Sequence, residues 1–215
     1  MAVAILFIVL VSAAYILGWS SLFTVKQVVV VGSPNPSEAF AIEHGIPLGG
    51  KMARLESQKF AKSLKGYTWL DHSNISKDWL KGIVTVRVWT RTPVAQFQNH
   101  LVDGTGVVFD LPSADLSHLP TIAGRDVEAA KVAARILTAL PNQMRANVKN
   151  ILMRGSDSAV LTIADTTLKR ALTVAWGDES NTALKVQVYQ ALVALPENSK
   201  IRVIDLSAPH APIVK

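Results

Sequence analysis

The chain has 215 residues, 49% of them hydrophobic, with 22 Lys/Arg against 16 Asp/Glu and no cysteine. That length predicts one domain or two small ones. The missing cysteine excludes a disulfide framework, a Cys-ligated zinc site and thiol chemistry.

Much of the apolar content lies in residues 2 to 23, AVAILFIVLVSAAYILGWSSLF, which carry no charge and no proline. A run of that length predicts a transmembrane helix, with Trp19 and Phe23 in an aromatic belt at its C-terminal end. The other readings are a cleaved signal peptide, with Ser12-Ala13-Ala14 as its small-residue patch, and a buried soluble helix. The apolar run continues past that patch, and no basic region precedes it. A basic leader upstream of Met1 is therefore expected; a natural start codon at Met1 would refute that.

Residues 25 to 92 hold ten Lys/Arg against five Asp/Glu, whereas residues 93 to 215 hold twelve against eleven. The basic excess belongs to the segment next to the expected span. It reads as a solvated face bearing Lys59, Lys62 and Lys65, or as a patch drawn to an anionic surface. No recognition-helix pattern or aromatic-rich RNA signature points to nucleic acid.

Val25 to Val31 is β-branched and predicts a strand. Asn35 is the expected helix cap, with Pro36 first in the helix and Glu38 three residues after the cap. Gly45 ends that helix. A second helix is expected from Leu55 to Lys65, with Phe60 and Leu64 on one face. Tyr67–Leu70 reads as a short strand, Asp71-His72-Ser73 as a turn, and Ile83 to Trp89 as a stronger strand. The expected order is β-α-α-β-β.

Arg91 to Phe109 reads as a seam between two modules. Pro93 argues for an edge or junction strand, because proline cannot donate to a ladder. Asp103-Gly104 and Gly106 supply the turn of a hairpin between Leu101–Asp103 and Val107–Phe109. Pro93, Asp103 and Gly106 are expected to act through turns and domain angle. Leu119–Gly124 reads as a loop. Asp126 caps a helix from Val127 to Leu140, with Val127, Ala130, Ala134 and Leu137 as its apolar stripe. Strands follow at Val148–Met153, Ala159–Ile163 and Leu172–Trp176, with Asp165-Thr166 in a turn. Ser180 or Asn181 opens a helix to Leu195, with Leu184, Val188, Ala191 and Leu195 at helical spacing. Ile201–Leu206 and Pro212–Val214 read as the last strands.

The five histidines share no metal-ligand spacing. Asp71-His72-Ser73 places triad residue types side by side, but a triad must converge from separate elements. There is no nucleophile elbow, dinucleotide fingerprint or phosphate loop. No enzyme, metal or cofactor is expected. The chemistry left is binding, and exposed strand edges invite strand addition by a partner.

The chain resembles the FtsQ/DivIB family of bacterial cell-division proteins along essentially its whole length. The residues that carry this are Thr92-Pro93-Val94-Ala95, Leu101-Val102-Asp103 with Gly106-Val107-Val108-Phe109, Leu119-Pro120 with Ile122 and Gly124, Trp176-Gly177-Asp178 with Lys185, and Ile204-Asp205-Leu206. The Gly49–Leu55 loop also fits. The final strand is unusually rich in proline for the family.

The resemblance implies an α+β fold with a single N-terminal transmembrane helix at 2–23, a POTRA-like domain at 25–92 and an FtsQ-type β domain at 93–215 with two helices on an antiparallel sheet. It implies a single-pass protein of the inner or plasma membrane at the division septum, with a cytoplasmic N-terminus. It implies a non-enzymatic divisome scaffold that binds FtsB/DivIC-type and FtsL-type proteins. Septal peptidoglycan synthases and an FtsK-type translocase are further implied partners. The family's partner adds a strand at the C-terminal edge, at the positions matching Ser207, Ala208, His210, Ala211 and Ile213. The alternative is a POTRA-containing envelope transport or assembly factor that binds unfolded chains. Such a factor would carry repeated modules or a long barrel, for which this length has no room. A membrane-anchored envelope hydrolase would need a convergent catalytic set.

Overall fold

The computed structural model describes residues 1–19, 23–34, 37–111 and 116–215. The chain is α+β and divides into two compact units, Met1–Arg91 and Thr92–Lys215.

The first unit begins with α1, Ala2–Trp19, a helix of 18 residues. At ~1.5 Å per residue that is ~27 Å, short of a ~30 Å hydrocarbon core. Residues 20–22, which the expected span also included, lie outside the described residues. Among the described residues no helix is long and apolar enough to cross a membrane. The expected single N-terminal transmembrane helix is therefore not supported.

A three-stranded sheet follows, in the order β1 (Gln27–Val31), β3 (Ile83–Thr90), β2 (Leu70–Asp78). β1 runs parallel to β3 and β2 antiparallel. Helices α2 (Glu38–Glu43) and α3 (Ser57–Ser63) supply Ala41 and Phe60 to a core with Val28, Leu64, Val84, Val86 and Val88. The predicted cap, Asn35, and Pro36 lie outside the described residues. The cap is Ser37, whose hydroxyl accepts from the Phe40 amide at 3.1 Å.

β2 overturns the expected turn at Asp71-His72-Ser73. These residues are strand, and His72 stacks on Trp89 with ring centroids 4.2 Å apart. Tyr67 to Trp69 are not strand. The core-side positions of β2 are Ser73, Ile75 and Lys77, opposite Val88, Val86 and Val84. Lys77 lays its stem inward, and its ammonium donates to the carbonyls of Met52 (2.9 Å) and Leu55 (2.7 Å). Partial burial pulls the pKa of this amine down.

Among the described residues, the second unit is built on nine strands. Their order is β12 (Ile213–Val214), β11 (Val203–Asp205), β10 (Arg170–Gly177), β9 (Ser158–Asp165), β8 (Val148–Arg154), β7 (Thr121–Ala123), β4 (Pro93–Phe97), β5 (His100–Asp103), β6 (Val108–Phe109). Strands β9 and β10 alternate between buried and solvated residues, as does β8 after an irregularity between Val148 and Asn150, the pattern of an antiparallel meander with one covered face. Helices α4 (Val127–Ala139) and α6 (Thr182–Ala194) pack into the same core as the inward residues of these strands. Asp126 caps α4, its carboxylate accepting from the Ala129 amide at 2.9 Å.

Five expectations are corrected here. β4 is an interior strand, between β7 and β5. Pro93 is tolerated because it is the first residue, where no donor is missed. Thr121–Ala123, read as loop, is β7, held in parallel between β4 and β8. A short helix, α5 (Asn142–Asn147), follows Pro141 where none was expected. The buried stripe of α6 is Lys185, Val186, Tyr189 and Val193, about one residue round from the predicted Leu184, Val188, Ala191 and Leu195. On α4, Val127 is 44% exposed and lies off the stripe formed by Ala130, Ala134 and Leu137.

Candidate partner-docking edge

The sheet of the second unit ends at β12. Its register against β11 pairs Ile204 with Val214 and Asp205 with Ile213. Val203 and Lys215 exchange both backbone bonds, at 3.0 and 2.9 Å. In an antiparallel ladder such pairs alternate with pairs whose polar groups point away. The N–H and C=O of Val214 therefore point outward, to the open side of β12. β11 obeys the same alternation, since Arg202 and Leu206 bond back to Thr173 and Ala175 of β10. Pro212 offers a carbonyl but no N–H.

The predicted edge residues come together in one segment, but most of them form a turn. Ser207, Ala208, His210 and Ala211 are exposed in the connection between β11 and β12. The Ala211 amide donates inward, to the Ala208 carbonyl at 2.9 Å. Ile213 alone of the five is in the strand, with 54% of its surface exposed. Val214, whose backbone faces outward, was not among the predicted site residues.

Two supports hold this turn. The amide and hydroxyl of Ser207 both donate to one Asp205 carboxylate oxygen, at 3.0 and 2.7 Å. These bonds hold the Asp205 pKa below the ordinary 3.8, the hydroxyl contributing most, with burial acting the other way. A depressed carboxylate stabilises the fold above its unfolded pKa, and that contribution is lost as pH falls through the folded value. The Ser207 amide resonance is thus expected to hold steady from neutral pH to about pH 4. It should titrate with a midpoint below 3.8; a midpoint at or above that value would show that the bond does not favour the ionised form.

The second support is a corner where β10 meets α6. A bulge interrupts the ladder between Ala175 and Gly177. Gly177 has φ +74°, and a Cβ there would lie 3.1 Å from both Cα and Cβ of Ser207. Only glycine allows that approach without displacing the turn. Trp176 and Lys185 are fully buried. The Lys185 ammonium donates to the Asp178 carbonyl (2.9 Å) and carboxylate (3.0 Å) and sits 5.9 Å from the Trp176 ring centroid. The Asp178 pKa is pulled down by bonds from Ser180 and Lys185. The Trp176 indole N–H has no hydrogen-bond partner among the described residues.

The predicted junction residues lie at the far end of the sheet. Pro93 pairs with Asp103 across β4 and β5. Asp103 is buried and accepts from the Thr105 amide and hydroxyl and from the Val107 amide, at 2.9, 2.7 and 2.9 Å. Gly106 takes φ +86°.

A cleft of about 170 Å³ opens between α5, α6 and the β9–β10 turn, lined in part by Met144, Asn147, Thr166, Tyr189 and Gln190. At its floor the Tyr189 hydroxyl donates to Asp165 at 2.7 Å. Burial and the neighbouring carboxylate push that phenol up, so it stays neutral. Among the described residues no group of three or more His, Asp or Glu could hold a metal ion.

The second unit is thus an α+β domain whose sheet ends in a two-residue edge strand, with a buried lysine at the corner where β10 meets α6. Residues 93–207 match the family profile of Cell division protein FtsQ/DivIB, C-terminal, and the chain belongs to the FtsQ/DivIB family. No curated protein matches the chain. Membership gives it a role in cell division, at the division site and in association with the membrane, within a family of non-enzymatic division proteins with partners among the division machinery.

Proposed function

We propose that this protein is a divisome scaffold that docks a partner strand on the outer edge of β12. The first unit is read as a POTRA-like domain over 25–92, followed by the FtsQ-type β domain over 93–215. The partner is an FtsB/DivIC-type protein, with FtsL-type proteins in the same assembly and links onward to septal peptidoglycan synthases and an FtsK-type translocase. Ser207, Ala208, His210 and Ala211 flank the docking strand, and Ile213 lies within it. The observation that carries this reading is the outward N–H and C=O of Val214 on a strand with one sheet neighbour among the described residues. Main-chain bonds give such docking its affinity, and alternate side chains give it specificity.

Proline at position 211 would break the inward bond to Ala208 and so disturb the turn. Val214→Pro is the sharper test. It removes the outward donor while leaving the bonds of Val203 with Lys215 in place, and edge strands tolerate proline. Capture of the FtsB/DivIC-type partner by the full chain should fall about tenfold, since a lost bond of this kind is worth ~1.5 kcal/mol. Unchanged capture by a folded Val214→Pro chain would refute docking at this edge. Depletion in the native cell should give filaments; normal division would refute the scaffold role.

A further inference from the structure

We propose that Lys185 is the positioning residue of the β12 edge: its buried ammonium holds the Trp176–Asp178 corner in the shape that seats the Ser207 turn. This rests on the docking reading above and names the device that presents the edge.

A buried ammonium is an expensive way to fill a core. Desolvation costs it several kcal/mol, and a methionine of similar length would fill the same space without that cost. Lys185 compensates with two bonds to Asp178 and the face of Trp176. Both bonds go to one residue, through its backbone carbonyl and its side chain. They therefore fix the direction of the chain as it leaves β10, immediately after the bulge at Gly177. That is where Gly177 meets Ser207, and where the Leu206 amide donates to Ala175 at 2.7 Å. From Ser207 the chain turns to β12. A shift of the corner would move the first residue of that turn, and the two-residue ladder beyond it has few bonds with which to resist.

The Asp178 side chain is 56% exposed, so removing its partner leaves no carboxylate stranded in the core. Lys185→Met in the full chain should thus keep its secondary structure and its unfolding midpoint. Hydrogen exchange should then separate positioning from simple support. The amides of Leu206, Ser207 and Lys215 should exchange at least tenfold faster, while those of β8 and β9 keep their protection. Capture of the FtsB/DivIC-type partner should weaken in parallel. Asp178→Asn, which keeps the carbonyl contact, should show the same pattern more weakly.

Unchanged exchange at Leu206, Ser207 and Lys215 in Lys185→Met would overturn the proposal. So would a uniform rise across the second unit with a lowered midpoint, because that is the mark of a lysine that only stabilises. If Val214→Pro leaves capture intact, the docking reading fails on its own, and the exchange pattern still decides the role of Lys185.

Discussion

Trp176→Ala is expected to destabilise the second unit by about 3–5 kcal/mol, the range for truncating a large buried aromatic. The indole is fully buried in the core formed by α4, α6 and the inward faces of the strands. Its removal opens a cavity beneath the corner and takes away the ring that faces the Lys185 ammonium. One effect runs the other way. The indole N–H has no hydrogen-bond partner among the described residues, and an unsatisfied buried donor costs ~1–3 kcal/mol. Trp176→Phe keeps much of the ring volume and removes that donor, so its cost should be about 1 kcal/mol or less on the same reasoning. Calorimetric unfolding of the full chain, with hydrogen exchange at β9 and β10 to assign the transition, measures both. Equal losses for the two variants would mean that the indole nitrogen is satisfied in solution and that ring volume decides little.

The elements legible in the sequence were those whose periodicity and burial agree. β9 alternates along its whole length, β10 from Leu172 and β8 from Ile151, and α4 shows a cap, an alanine-rich face and a proline stop, so their types and near-boundaries could be read directly. β2 could not, because the position that should carry an apolar side chain opposite Val84 carries Lys77. Its stem does the packing while its ammonium caps two carbonyls, and a pattern scored on residue type sees only a charge. The same confusion turned the face of α6. With Lys185 counted as polar, the best apolar stripe ran through Leu184 and Val188, whereas the buried lysine shifts the true stripe by one residue, about 100°. β7 has only three residues, and its existence depends on two parallel neighbours distant in sequence, so no local signal defines it. At the candidate site, sequence located the C-terminal segment but not which groups face outward. That depends on the ladder phase between Val203 and Lys215, which is a property of pairing. Trp176-Gly177-Asp178 and Lys185 form a buried corner that depends on tertiary contact, so their spacing in the chain does not reveal it.

Gly106→Ala is expected to be the most damaging single-atom change in the second unit, costing more than about 3 kcal/mol on two separate grounds. The first is conformational: at φ +86° an L-residue pays roughly 1–2 kcal/mol. The second is steric. A Cβ at Gly106 would lie 2.8 Å from the Lys131 Cα and 2.4 Å from its Cγ. The Cγ could swing away, but the Cα belongs to the backbone of α4 and moves only with the helix. The hairpin has nowhere to retreat, because Asp103 pins it from inside by accepting from Thr105 and Val107. Asp103→Ala tests that pin. It strips the Val107 amide of its acceptor in a half-buried position, for an expected loss of about 2–3 kcal/mol. Asp103→Asn keeps a neutral acceptor and should lose about 1 kcal/mol. Four of the five tryptophans lie in the first unit, so hydrogen exchange at the amides of β4, β5 and β9 in rising urea, rather than total fluorescence, follows the second unit's unfolding for all three variants. The expected order of stability is Asp103→Asn, then Asp103→Ala, then Gly106→Ala. Gly106→Ala within 1 kcal/mol of the natural chain would mean that α4 yields at Lys131, and that the close approach there is not a constraint on the fold.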